Sequence, residues 1–225
     1  VITPFVAETF SLSRDILHGH RMASLYINPE VCKNVCGRCA VREWKDLSYR
    51  LMDEEEYVKE LLRYSLLGVG LISIRGGDLT NRGLIGDQRV LENCLRMARK
   101  VAPTRVWLCG SKHDAVEGLL PFASGFRVDI KIPPFDKLTE RDRTLWTDAI
   151  GVGRCVDVYV KSVKSIVEMV DGMPETYYTS TNWRDMDAGC RELMLDYLSR
   201  YKSPFLIENT ETVIEPVLSY EEERV

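Results

Sequence analysis

Short apolar runs alternate with amphipathic stretches from about Met22 onward, the pattern of parallel strands joined by helices that cover them. The runs predict strands over 22–28, 70–75, 105–109, 126–132, 155–161, 176–181 and 204–208. Helices are predicted to start near Asp53, Gln88, Lys112, Thr139, Val163 and Trp183. The first is the best signed: Asp53 suits an N-cap, and Glu56 three residues later completes a capping box. Glu54 and Glu55 favour the positive end of the helix dipole, and Gly68 follows the last turn. In the helix from Gln88, the residues Leu91, Cys94, Leu95 and Ala98 share one face, which packs on the sheet.

Successive side chains of a strand point to opposite faces, so each run divides in two. Over 126–132, Phe126, Val128, Ile130 and Ile132 oppose Arg127, Asp129 and Lys131. Over 155–161, Val156, Val158 and Val160 oppose Asp157, Tyr159 and Lys161, and over 22–28, Ala23, Leu25 and Ile27 oppose Ser24, Tyr26 and Asn28. Helices must cover the apolar face, which turns the polar face into the interior of a curved sheet. Unpaired buried charge is costly. An interior lined by Arg127, Asp129, Lys131, Asp157 and Lys161 therefore reads as a wet cavity for a polar ligand. A flatter sheet with one face in solvent is the competing reading.

Length and charge narrow the class. The 225 residues suffice for one sizeable core. Lys and Arg number 30 against 34 Asp and Glu, a net charge of -4, so no excess of positive charge is available to hold nucleic acid by its phosphates. The most apolar stretch, over 66–74, is far short of the roughly 20 residues of a membrane span. Residues 1–19 lack the basic and apolar regions of a secretory leader. These features predict a soluble cytoplasmic protein with neither membrane nor nucleic acid as partner.

Seven cysteines are an odd number in a chain too large to need disulfide staples, which favours a reducing compartment and a metal or redox site. Cys32, Cys36 and Cys39 form C-x3-C-x2-C just after the first strand. Three such thiolates can ligate three irons of a 4Fe-4S cluster and leave the fourth iron open for chemistry. A structural zinc site needs four protein ligands, and His18, His20 and His113 match the spacing of no common zinc module. A non-enzymatic iron-sulfur or zinc module remains the competing class. Cys94 and Cys190 fall on apolar helix stripes, and neither they nor Cys109 and Cys155 form a C-x2-C pair that would suggest a second cluster.

With its cysteine motif after the first strand, the chain resembles the radical S-adenosylmethionine (radical SAM) enzymes. The stretch Ile74-Arg-Gly-Gly-Asp-Leu-Thr80 is similar to the family's Gly-Gly-Glu-Pro motif. Val128-Asp-Ile-Lys-Ile-Pro133 resembles the Asp-x-Lys strand of the activating enzymes for glycyl radical enzymes and of 7-carboxy-7-deazaguanine synthase. The resemblance covers 22–209, leaving 1–21 as an N-terminal extension and 210–225 as a tail. The chain departs from the family's pattern at Arg38, where an aromatic residue is usual, and at Asp78 and Leu79, where Glu and Pro are usual.

The resemblance implies a partial (β/α)6 barrel of parallel strands with outer helices, holding a 4Fe-4S cluster on Cys32, Cys36 and Cys39 and S-adenosylmethionine beside it. Reductive cleavage would give a 5′-deoxyadenosyl radical that abstracts hydrogen from a substrate, with flavodoxin or ferredoxin as electron donor. Gly76, Gly77 and Asp78 would meet the methionyl amino group. Tyr26, Ser111, Asp129, Lys131 and Lys161 are the other cofactor-binding candidates, at or near strand ends where such barrels carry their binding groups. A buried structural ion pair is the competing reading of Asp129 and Lys131. Arg127, Asp157, Trp183 and Glu208 are substrate candidates, whereas Trp44, Trp107 and Trp146 read as packing. Two substrate classes stay open: a glycyl radical enzyme, as for an activase, or a small molecule, as for 7-carboxy-7-deazaguanine synthase. The latter family has Asp-Thr after its third cysteine where this chain has Ala40-Val41, which inclines the reading towards an activase.

Overall fold

The structure is a computed structural model and describes residues 1–7, 11–28, 50–76, 79, 88–110, 112–133, 140–150 and 155–207. Its strands are β1 (Ile2–Val6), β2 (Ser11–Arg14), β3 (Arg21–Ile27), β4 (Leu51–Asp53), β5 (Leu71–Gly76), β6 (Thr104–Leu108), β7 (Gly125–Asp129) and β8 (Tyr177–Thr179). Its helices are α1 (Glu54–Leu66), α2 (Gln88–Val101), α3 (His113–Glu117), α4 (Glu140–Ile150), α5 (Val156–Val170) and α6 (Ala188–Leu198). All eight strands form one sheet in the order β4-β1-β3-β5-β6-β7-β8, with β2 also paired to β3. The run β3, β5, β6, β7, β8 is parallel throughout. The sheet is not closed, and the architecture is a partial α/β barrel.

Helix α1 follows its sequence signals. The Asp53 carboxylate accepts from the Glu56 amide at 2.8 Å, the Glu56 carboxylate accepts from the Asp53 amide at 3.0 Å, and Gly68 takes a positive φ of 63° after the last turn. The apolar strand faces also behave as expected: Ala23, Leu25, Ile27, Ile72, Ile74, Val106, Leu108, Phe126 and Val128 are all buried in one continuous core with Leu91, Cys94, Leu95 and Ala98 of α2.

The expected strand over 155–161 is instead the first half of α5. Val156, Tyr159, Val160, Val163, Ile166, Val167 and Val170 are buried while Val158 is 65% exposed, which is the 3.6-residue period of a helix. Seven residues of alternating valine look like a strand; only the longer window shows the helical stripe. The expected strand over 204–208 is reduced to one parallel bridge, Tyr178 to Phe205, which continues the sheet beyond β8. The helix expected from Trp183 is broken into a 3-10 turn, Trp183–Asp185, and α6, whose N-cap Asp187 accepts from the Cys190 amide at 2.7 Å. The stretch ahead of Met22 supplies β1 and β2. Strand β2 pairs with the first half of β3, Ser11 opposite Ser24, and β1 pairs with its end, Phe5 opposite Ile27. Phe5 is fully buried and stacks on Tyr57 at 5.1 Å, so this stretch belongs to the core.

Candidate active site

Parallel register stacks the polar sides of the central strands into rows. Ser24 pairs with Ser73 and Ser73 with Arg105, while Tyr26 pairs with Arg75, Trp107 with Arg127, and Arg127 with Tyr177. Two residues further along, Asp129 pairs with Thr179. Side chains paired this way share a face, so the interior carries three levels.

The level nearest the strands' N-terminal ends is an ion network. Arg105 is 1% exposed, forms a very close ion pair with Asp15, and donates through Nη2 to Glu175 Oε2 at 2.8 Å and through Nε to the Glu175 carbonyl at 2.7 Å. Burial alone would raise the Asp15 pKa, but the hydrogen bonds from Arg105 and from the His18 amide outweigh it and hold the carboxyl below its ordinary 3.8. This network fixes the loop between β2 and β3 across the end of the sheet.

In the middle level the Trp107 indole lies between two arginines, with the Arg75 Cζ 4.4 Å and the Arg127 Cζ 3.6 Å from its ring centroid. The third level lies at the C-terminal end of β7. Asp129 Oδ2 accepts from Lys131 Nζ at 2.8 Å and from Thr181 Oγ1 at 3.1 Å, while Oδ1 accepts from the Thr181 amide at 2.8 Å. Burial raises the Asp129 pKa, but Lys131 and Arg127 overcome it and keep the carboxylate ionised; burial lowers that of Lys131, and Asp129 reverses it. The Lys131 amide donates to the Tyr159 hydroxyl at 3.1 Å, and Asn182 Nδ2 donates to the Lys131 carbonyl at 2.9 Å.

Several polar atoms here have no partner among the described residues. Ser24 Oγ, Ser180 Oγ and Asn182 Oδ1 are buried without a hydrogen bond. Among the described residues, Lys131 Nζ, with three N–H donors, uses two, on Asp129 and Thr181 Oγ1. Buried polar groups are nearly always paired, so these atoms mark where a polar ligand would satisfy the fold.

The sequence candidates divide accordingly. Tyr26, Arg127, Asp129 and Lys131 share the interior face. Asp157 and Lys161 do not: as part of a helix they fall on the exposed face of α5, where Asp157 pairs with Arg143. Trp183 packs against Phe205 at 5.2 Å, with Arg191 over its ring at 5.7 Å. Gly76 ends β5 beside Ile27. Cys32, Cys36, Cys39, Gly77, Asp78, Ser111 and Glu208 lie outside the described residues. Among the described residues no group of three or more metal-ligating side chains occurs, and no helix is long and apolar enough to cross a membrane.

Arg75, Arg105 and Trp107 belong to the interior, although no sequence motif marks the two arginines and Trp107 is expected as packing. The same division into faces finds them: Val106 and Leu108 are apolar and oppose Arg105, Trp107 and Cys109. Asp15 carries no such signal, because its partner Arg105 is 90 residues away.

No family model and no curated protein matches the chain. Among the crystal structures that share its fold are HydG and methylornithine synthase. HydG, a maturase of the FeFe hydrogenase, superposes with a TM-score of 0.53 and 11% identity over 83% of this chain and 42% of that one. Methylornithine synthase (PylB) gives 0.54 and 12% over 83% of this chain and 53% of that one. The chain thus spans about half the length of the structures it matches, and what it shares with them is the fold.

Proposed function

We propose that this chain is a radical S-adenosylmethionine enzyme, with a 4Fe-4S cluster on Cys32, Cys36 and Cys39. One observation carries the reading: Ile27 at the end of β3 pairs with Gly76 at the end of β5. The strands that lead into the cysteine motif and into Gly77-Asp78 therefore end side by side at one edge of a parallel sheet, the edge where α/β barrels gather their binding groups. The fold shared with HydG and PylB, themselves radical SAM enzymes, supports the same reading.

The unpartnered atoms suit the cofactor. S-adenosylmethionine presents an amino group, a carboxylate and ribose hydroxyls; the Lys131 N–H that has no partner among the described residues fits an acceptor among them, and Asn182 Oδ1 fits a donor. When bound, cluster and cofactor supply reductive cleavage of a carbon-sulfur bond and hydrogen abstraction from the substrate, fed by a one-electron donor such as flavodoxin or ferredoxin. The chain's own residues orient and exclude. Asp129, ionised and held by Thr181, fixes the Lys131 ammonium, and the Arg105 network closes the far end of the interior against water. On substrate, the open sheet leaves room for a protein loop, as for an activase, whereas the cationic middle level favours a small molecule.

Electron paramagnetic resonance of anaerobically reconstituted, reduced protein tests this. S-adenosylmethionine is expected to change the cluster signal by binding the open iron, and Cys36→Ala is expected to lose the cluster. A cluster indifferent to S-adenosylmethionine contradicts the proposal.

A further inference from the structure

The middle level of the interior is an unusual place for two guanidinium groups. With the Arg75 and Arg127 Cζ atoms 4.4 and 3.6 Å from one ring centroid, the two like charges stand no more than about 8 Å apart around the indole of Trp107. An indole face attracts each cation, and Arg127 also acts electrostatically on Asp129 one level above. Arg75 makes no ion pair among the described residues: its Nε donates to Ser73 Oγ at 3.3 Å and its Nη2 lies 3.8 Å from Met22 Sδ. Burial, with Arg127 adding to it, lowers the Arg75 pKa, the direction expected of a cation short of negative charge; the phenols of Tyr26 and Tyr177 act the other way. Directly beneath, Ser24 Oγ is buried and has no hydrogen-bond partner among the described residues.

The level below handles its charge differently. Arg105, on the same face of the same strand as Trp107, meets two carboxylates, Asp15 and Glu175. Arg75 and Trp107 are both only half-buried, so this level is not sealed within the core.

We propose that Arg75, Trp107 and Arg127 form the binding site for the oxyanion group, carboxylate or phosphate, of a small-molecule substrate. The proposal deepens the radical SAM reading and rests on it for the word substrate. The guanidinium of Arg75 supplies a planar fork that matches an oxyanion through two hydrogen bonds, Arg127 adds charge from the neighbouring strand, and the Trp107 indole holds both in place. The site lies one level below Asp129 and Lys131, so a substrate anchored there by its anion points its remaining atoms towards the edge where Ile27 and Gly76 end.

Isothermal titration calorimetry on the full chain at constant ionic strength, with benzoate, phenyl phosphate and uncharged benzamide, tests the site directly. At least one anion is expected to bind at a single site, with benzamide and the Arg75→Gln variant each weaker by roughly ten- to a hundredfold, the range of a lost charged hydrogen bond. Whichever anion binds more tightly identifies the oxyanion. Arg75→Lys, which keeps the charge and loses the fork, is expected to fall between. Without ligand, Arg75→Gln is expected to melt no lower than the parent, since it removes one of two like charges; a large drop would show a purely structural arginine and overturn the proposal. Equal binding of benzamide, undiminished binding by Arg75→Gln, or competition by S-adenosylmethionine overturns it too. Running the titration with and without the reconstituted cluster separates the two readings. Anion binding that persists in protein unable to cleave S-adenosylmethionine leaves the site standing alone, and its absence from protein that does cleave it removes only the site.

Discussion

Gly76 lies so close to Ile27 that a Cβ on it would stand 2.6 Å from the Ile27 carbonyl oxygen, and its φ of 111° is one that other residues avoid. Both conditions arise because β5 ends hard against β3 at the edge where the two motifs begin. Gly76→Ala is expected to cost about 1–3 kcal/mol from strain alone, read as a lower urea midpoint. A midpoint equal to the parent's would mean that the strands do not meet as described.

The Arg105 network makes a second prediction. Arg105→Met leaves two carboxylates at the end of the interior without their cation, and the loss is expected to be about 3–5 kcal/mol at neutral pH. The pH dependence has a definite sign. The Asp15 pKa in the folded chain lies below its ordinary 3.8, because Arg105 and the His18 amide outweigh the opposing effect of burial. Its contribution is therefore complete above the unfolded pKa and fades as pH falls through the folded one. Without Arg105, burial acts unopposed by that cation. The stability gap between parent and variant should therefore narrow from pH 7 towards pH 3, as followed by thermal melts; a gap that widens on acidification contradicts the network.

Helix α5 supplies a third test, since Val158 shares the buried face of Val156 and Val160 in a strand but is turned away from it in a helix. Val158 is 65% exposed and Val163 is fully buried. Val158→Lys is expected to change stability by less than about 0.5 kcal/mol, and Val163→Ala to cost about 1–3 kcal/mol. Denaturant midpoints in the reverse order would favour the strand.

These elements show what could be read from sequence and why. The parallel strands and α1 were legible because their signals are local: a two-residue alternation in β3 and β7, and a capping box within four residues at Asp53. Cys155 to Lys161 misled for the same reason, because β-branched valines at every second position imitate a strand over seven residues, and the stripe that ends at Val170 needs fifteen. Asp157 and Lys161 were drawn into the interior by that error. Strand β1 was missed because its burial depends on partners distant in sequence, Ile27 and Tyr57. In the candidate site, Asp129 and Lys131 were legible from alternation, but Asp15 was not, since an ion pair across 90 residues leaves no local pattern.

The cap itself offers a smaller, cleaner prediction. Asp53→Ala removes the carboxylate that accepts from the Glu56 amide, while the residue-53 amide can still donate to the Glu56 carboxylate; the variant is expected to cost about 1 kcal/mol, and Asp53→Asn should retain most of that stability. Differential scanning calorimetry of the two variants decides it; equal melting temperatures would mean that the cap contributes nothing.

The most direct test of the proposed chemistry is product formation. The reconstituted, reduced protein is incubated anaerobically with S-adenosylmethionine and the mixture is analysed for 5′-deoxyadenosine by chromatography and mass spectrometry. The proposed chemistry predicts 5′-deoxyadenosine from the parent and none from Cys36→Ala. A protein that carries an intact 4Fe-4S cluster, is reduced, and yields no 5′-deoxyadenosine would contradict it.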